Sequence, residues 1–325
     1  MTYLNHETRL NLYRGMLYIR IVEERIADLY PEQEMRCPVH LSIGQEAAEA
    51  GSGLALTQRD YAVSGHRSHG HYLAKGGDLE AMMAEIYGKA TGCAGGKGGS
   101  MHLTDQDAGF IGAVPIVGST IPIGVGTAFG SKMKGEDRVT MVFLGDGATE
   151  AGVFHESLNF AAVHQLPVVF LCENNLYSVY SPMHVRQPGN RAIADLARAH
   201  GIVSHLADGN DVETVYTLCR DAVNQARSGA GPVFLELSTY RWREHCGPNF
   251  DNHIGYRTEE EYEQWRKRDP VSLYRQILLD DGVASELELG AISDALNAKM
   301  DQAIAFAKGS AFPEKKRASQ HVYAD

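Results

Sequence analysis

Three short, almost unbroken apolar runs set the frame for this chain: residues 139–144 (VTMVFL), 167–172 (PVVFLC) and 232–237 (PVFLEL). A strand with one wet face alternates polar and apolar residues, whereas a continuous run belongs to a strand covered on both faces, as in a parallel sheet between helical layers. The intervening sequence fits that frame. Residues 150–164 can form a helix between the first two runs, giving a strand–helix–strand unit with an expected right-handed crossover. Residues 212–228 read as a helix ahead of the third run. Near the start, Leu10, Tyr13, Met16, Leu17 and Ile21 recur at three- and four-residue spacings and Pro31 closes the pattern, so an amphipathic helix is expected over 7–30. Residues 44–56 are small and Ala-rich, suiting a tightly packed helix, and the sequence from Glu259 onward is charged and helical, broken at Pro270 and Gly282. The expected fold class is α/β: one domain over 1–325 built on a doubly wound, mostly parallel sheet. Its α/β core spans about 40–240 and its helical C-terminal extension about 258–325.

Glycine is distributed unevenly. Residues 88–99 (GKATGCAGGKGG) resemble a linker in composition, but Met101, His102, Phe110 and Ile111 follow at once, which favours a structured loop with special backbone angles. Gly124, Gly126 and Gly130 lack the spacing of a dinucleotide fingerprint and no strand feeds them, so close helix packing is the better account. A formal charge of −11 argues against a nucleic-acid or anionic-membrane surface, which needs clustered Lys and Arg. No run approaches the roughly 18 apolar residues that span a bilayer, and the first residues have neither an apolar signal core nor an Arg-rich transit pattern. Five scattered cysteines without C-x-x-C make neither a disulfide framework nor a zinc site. A reduced, cytoplasmic protein without nucleic-acid or membrane partners is expected.

Open α/β sheets bind ligands beyond the carboxyl ends of their strands. Gly145-Asp146-Gly147 follows the first apolar run and Glu173-Asn174-Asn175 follows the second. The 26 residues between Gly147 and Asn174 are what one helix and one strand consume, so the two clusters are expected side by side. Asp146 offers an anionic oxygen, Asn175 an amide oxygen, and a nearby backbone carbonyl a third. Hard oxygen donors of low total charge suit magnesium, which keeps positions for phosphate oxygens and water. Gly147 and Ala148, opening the helix, can present backbone N–H groups to a diphosphate. Either cluster alone reads as a turn; together, in this context, they read as a metal–diphosphate site.

GDG, this gap and NN resemble the thiamine-diphosphate motif. The surrounding sequence resembles the alpha subunit of the decarboxylating component of thiamine-dependent 2-oxo acid dehydrogenases (pyruvate, acetoin and branched-chain type). The resemblance extends to HLSIGQEA at 40–47, GHRSHGHYLAKG at 65–76, KGGSMH at 97–102, IVGSTIPIGVG at 116–126, GPVFLELSTYR at 231–241 and the terminal VYA at 322–324. It implies that Asp146 and Asn175 bind magnesium by side chain and Tyr177 by its carbonyl. It further implies that Gly147, Ala148 and Arg67, with His66, hold the diphosphate. Pro115 and Val117 would lie against the aminopyrimidine through their backbones, and Val179 would hold the cofactor bent. His245 matches a histidine near the reactive carbon, and His69 is expected to line the active site. His66, His69 and His71 are superficially like metal ligands, but no cysteine or acidic spacing supports zinc there; His71 reads as structural. Members of the family often carry an aromatic residue where His66 stands.

The resemblance covers only the diphosphate-binding half of a thiamine enzyme. It implies a beta subunit that supplies the pyrimidine-binding half and its activating glutamate, in a heterotetramer of two alpha and two beta chains. One segment departs from the pattern: after Tyr240-Arg241, Glu244, Cys246, Pro248 and Asn249 replace a serine-rich loop that borders the substrate channel. The expected function is decarboxylation of pyruvate or a related 2-oxo acid with acyl transfer to lipoamide, on a lipoyl-bearing acyltransferase. The alternative is a carboligase that passes the acyl group to an aldehyde or ketone. A non-catalytic scaffold is opposed by the intact Asp146, Asn175, Arg67 and His245.

Overall fold

The computed structural model describes residues 4–320 and 322; Tyr323 and Ala324 of the terminal VYA lie outside them. Strands β1 (Tyr61–Ser64), β2 (Phe110–Ala113), β3 (Thr140–Gly145), β4 (Val168–Asn174), β7 (Val203–Asp208) and β8 (Val233–Ser238) form one six-stranded sheet, and β5 (Tyr177–Ser178) and β6 (Ser181–Pro182) form a small hairpin. The large sheet runs in the order β2-β1-β3-β4-β8-β7 with every pair parallel. The three apolar runs are its central strands β3, β4 and β8, each beginning one residue later than the sequence pattern suggests. The helices are α1 (His6–Leu29), α2 (Glu46–Ala55), α3 (His69–Ala74), α4 (Leu79–Ile86), α5 (Thr120–Lys134), α6 (Gly152–Val163), α7 (Met183–Arg186), α8 (Ile193–Ala199), α9 (Val212–Arg227), α10 (Glu259–Arg266), α11 (Pro270–Asp280) and α12 (Glu286–Gly309). No described helix is long and apolar enough to cross a membrane.

The two faces of the sheet separate by residue parity, as the period of a strand requires. Met141 and Phe143 of β3 and Val169 and Leu171 of β4 join an apolar cluster with Met16, Ile19 and Val22 of α1, Ala47 of α2, Val215 of α9, and Met300 and Ala303 of α12. Their neighbours Val142, Leu144, Val168, Phe170 and Cys172 turn to the other side, against Ile121 and Val125 of α5, Phe154 and Leu158 of α6, and Ala194 and Ala197 of α8. Continuous hydrophobicity therefore serves two helical layers at once. Gly124 is what lets α5 approach the sheet: a Cβ there would lie 2.3 Å from Val142 Cγ2. Among the described residues Gly126 and Gly130 meet nothing within 4 Å, so the expected close packing holds at the first of the three glycines only.

The glycine-dense passage is an ordered loop, and Glu85 organises it. This side chain, at the end of α4 and fully buried, accepts N–H groups from Ala94 and Gly96 on one oxygen (both 2.8 Å) and from Gly98 and Gly99 on the other (2.7 and 3.0 Å). Gly95, Gly96 and Gly99 adopt φ of 68°, 76° and 64°, which wraps the loop around one carboxylate. Glu85→Gln replaces one acceptor oxygen with an amide that faces two N–H groups. The expected cost is about 1–3 kcal/mol for each donor left unpaired, read as a lower midpoint in urea denaturation.

Candidate active site

Consecutive strands β1 and β2 lead the chain to one side of the sheet and β3 brings it back to the other side of β1, so the strand order reverses between β1 and β3. Above that point the carboxyl ends of the strands enclose a cavity, where a doubly wound sheet is expected to bind its ligand. The end of β1 contributes His66 and Arg67, that of β2 Pro115 and Val117, and that of β3 Asp146, Gly147 and Ala148. Beyond β4 come Asn175, Tyr177 and Val179, and beyond β8 comes His245. Eleven proposed cofactor residues, drawn from five strand ends, thus line one cavity.

Asp146 opens a short 3-10 turn directly after β3 and is 1% exposed. Burial holds its carboxyl above the usual carboxylate range even though Arg186 is paired with it. The buried Asn175 donates its Nδ2 to Gln45 Oε1 at 3.0 Å, and its Oδ1 accepts the Tyr177 N–H at 3.3 Å. The stretch that follows Asn175 is unusual: Leu176 and Val179 have φ of 73° and 54°. A β-branched residue in that region is strained and marks a position held by its surroundings; here Arg241 donates to the Val179 carbonyl at 2.7 Å. At Gly147 a Cβ would sit 2.6 Å from Ser178 Oγ, so the hairpin closes onto the β3 turn only because this residue has no side chain.

Positive charge enters from the end of β1. Arg67, 9% exposed, donates to the Leu41 carbonyl and, at 3.2 Å, to the His245 carbonyl. Burial and the neighbouring charge of Arg241 push its guanidinium down to about 10. The cavity therefore holds a buried carboxylate, Asp146, paired with Arg186, and a buried guanidinium, Arg67, whose bonds go to two carbonyls and a ring nitrogen rather than to a carboxylate. A divalent cation carrying a diphosphate suits both groups, and the donor set of carboxylate, amide oxygen and carbonyl suits magnesium.

The histidines of HRSHGH separate. His69 is fully buried behind the wall, with Nδ1 2.6 Å from Glu23 Oε1 and Nε2 2.6 Å from Ser100 Oγ, so the expectation that it lines the site is corrected. It ties α1 and the glycine loop to α3. His71, expected to be structural, does line the cavity; it stacks on Phe143 with ring centroids 3.8 Å apart and bonds Ser64 Oγ and Glu173 Oε1 at 2.8 and 3.1 Å. Sequence reasoning missed Gln45, which orients Asn175, and Arg186, which pairs with Asp146 and Glu150. Gln45 lay within a noted segment, immediately before α2, but nothing in its spacing announced a role. The divergent loop is well ordered: the Glu244 N–H bonds the Asn249 carbonyl at 2.8 Å, and Glu244 Oε1 accepts from the Asn249 N–H and Nδ2 at 3.0 and 2.9 Å. Burial and Glu244 push the exposed Cys246 thiol up, which disfavours a reactive thiolate.

The sequence profile of the dehydrogenase E1 component matches residues 13–316. The chain belongs to that family. It is similar to the alpha subunit of acetoin:2,6-dichlorophenolindophenol oxidoreductase of Bacillus subtilis, with 38% identity over 98% of this chain and 95% of that protein. It is likewise similar to the pyruvate dehydrogenase E1 component subunit alpha of Rickettsia felis, with 35% identity over 98% of this chain and 96% of that one. The chloroplastic pyruvate dehydrogenase E1 component subunit alpha-3 of Arabidopsis thaliana is 36% identical over 99% of this chain and 76% of its own length. Membership of the E1 family implies thiamine diphosphate as cofactor and oxidoreductase chemistry.

Proposed function

We propose that this chain is the alpha subunit of a thiamine-diphosphate-dependent 2-oxo acid dehydrogenase, the component that decarboxylates pyruvate or a related acid and passes the acyl group to lipoamide. The observation that carries the reading is the convergence of Asp146, Asn175 and Arg67, from the ends of three different strands, on one cavity. In this reading Asp146 and Asn175 hold magnesium by side chain and Tyr177 by its carbonyl. Gly147 and Ala148 meet the diphosphate through backbone N–H groups, with Arg67 and His66 beside it. Pro115 and Val117 flank the aminopyrimidine, and Val179, pinned by Arg241, supports the bend. When bound, thiamine diphosphate supplies a carbon that can take up the electron pair released by decarboxylation.

His245 has a defined protonation state for its part. Burial and the charge of Arg67 push its pKa down to about 3, so the ring is neutral near pH 7. Its Nδ1 lies 3.5 Å from Arg67, which can only donate, so the proton sits on Nε2. A neutral Nε2–H donates to the substrate's carbonyl oxygen as negative charge grows there, a contribution realised mainly in the transition state. His245→Ala in the assembled enzyme is expected to lower kcat about a hundredfold and to change KM much less; steady-state rates with a 2-oxo acid check this.

The partner follows from the same reading. Relatives named as alpha subunits bring with them a beta subunit, here in a heterotetramer of two alpha and two beta chains. In support, α5 and α6 leave Ile123, Met133, Phe160 and Val163 exposed, alongside the open glycines Gly126 and Gly130. The whole chain acts as one domain, since the terminal helices α1 and α12 share an apolar cluster with the sheet. A lipoyl-bearing acyltransferase is the expected acceptor carrier and the cytoplasm the expected compartment. The names of the relatives favour an oxidising acceptor over ligation to a carbonyl. The test is to purify the chain with its beta partner and to supply 2-oxo acids with either a lipoyl domain or aldehydes. Acyl transfer to aldehydes alone would overturn the dehydrogenase assignment.

A further inference from the structure

His40, His66 and His245 come from three separated stretches of chain and converge on one wall of the cavity. Their ring centroids lie 4.6, 5.1 and 5.2 Å apart with interplanar angles of 61°, 84° and 63°, so the rings meet edge to face. One nitrogen from each lies within 4.8 Å of the other two. Among the described residues the buried His40 Nδ1 has no hydrogen-bond partner. Backbone pairing of His40 with Gly247, and the Gly247 N–H on the Val39 carbonyl at 2.8 Å, hold His40 against the loop that carries His245. We propose that these three side chains form a nitrogen-donor site for a transition metal of the zinc class, separate from the oxygen-donor site at Asp146.

The chemistry of the donors selects the metal. Three imidazoles suit zinc, copper or nickel, whereas magnesium prefers oxygen. A tetrahedral zinc with bonds of about 2.0–2.1 Å needs its nitrogens roughly 3.3 Å apart, so the rings must draw together slightly, and the half-buried His66 and His245 have room to turn. The fourth position faces the cavity and is open to water. Arg67 is the opposing charge. Whichever nitrogen of His245 binds, the 3.5 Å bond from Arg67 to Nδ1 is given up, because Nδ1 then carries either the metal or the proton. Arg67 keeps the carbonyls of Leu41 and His245. A metal so held withholds His245 from substrate and works against turnover. That consequence rests on the function proposed above; the binding does not.

The test uses the full-length, metal-stripped chain without cofactor. Cobalt(II), titrated as a spectroscopic stand-in for zinc, is expected to give the visible absorption of a four-coordinate nitrogen site at one equivalent, to be displaced by zinc and to persist in excess magnesium. His66→Phe and His40→Gln should each weaken binding by at least about tenfold, since losing a ligand costs no less than losing a ligand's supporting bond. Asp146→Asn should leave the signal intact. His66→Phe stands alone if His40→Gln fails to fold, because His66 is only half-buried. The proposal is overturned if no cobalt absorption develops, if it survives in the His66 variant, or if it disappears with Asp146→Asn.

Discussion

Asp146→Ala is expected to abolish magnesium-dependent binding of thiamine diphosphate while the fold persists. The residue is the one formal anion among the three proposed magnesium ligands, and Asn175 and the Tyr177 carbonyl bring only dipoles. Removing even the supporting bond of a metal ligand costs about 10–100-fold in affinity, so loss of the charged ligand itself should exceed about a hundredfold. The fold has little reason to fail. Thr149 closes the turn on the Asp146 backbone carbonyl at 2.6 Å, and Arg186 keeps Glu150 and the Ser181 carbonyl as acceptors. Asp146→Asn, which preserves volume, should lose binding in the same way. Calorimetric titration of the purified alpha–beta assembly, with circular-dichroism melting of each variant, checks both halves. Unchanged cofactor affinity would remove Asp146 from the metal site.

The order of legibility in the sequence followed burial. Strands β3, β4 and β8 have helices on both faces, so each is a continuous apolar run that no other element of that length produces. By contrast, β1 and β2 are four residues long, too short for a period to emerge, and β7 lies at the sheet edge with most of VSHLAD at least partly exposed. The meeting of Asp146 and Asn175 was readable because they sit at the ends of adjacent strands, and the residues between them count out one helix and one strand. His69 and His71 were not readable in the same way. They stand two residues apart at the start of α3, about 200° around a helix, so one ring must face α1 when the other faces the sheet. Which does which depends on the helical phase, which the triplet HGH does not state. The trio of His40, His66 and His245 was still less accessible, since its members meet only after β1 and the β8 loop have been folded onto the segment before α2.

Alone, with thiamine diphosphate and magnesium in excess, the chain is expected to show no decarboxylation. The reason lies in the cavity wall. Activation of the cofactor's pyrimidine ring requires a carboxyl group at the ring, and the described lining residues include two carboxylates. Asp146 is paired with Arg186 and assigned to magnesium. Glu173 is held by His71 Nε2 at 3.1 Å and Gln45 Nε2 at 3.3 Å, on the strand end beside Asn175. Neither is left to serve the pyrimidine, while Ile116 and Val117 on the same wall stand 69% and 58% exposed, as apolar surface that awaits cover. A second chain that covers this face can bring both the missing carboxyl and the apolar contact. Release of carbon dioxide from a 2-oxo acid, measured for the homogeneous chain and again after addition of its beta partner, should move from background to full turnover. Replacing the partner's activating glutamate with Gln should return it to background. Sustained turnover by the alpha chain alone would show that its own cavity is complete, and the two-chain architecture would fall with it.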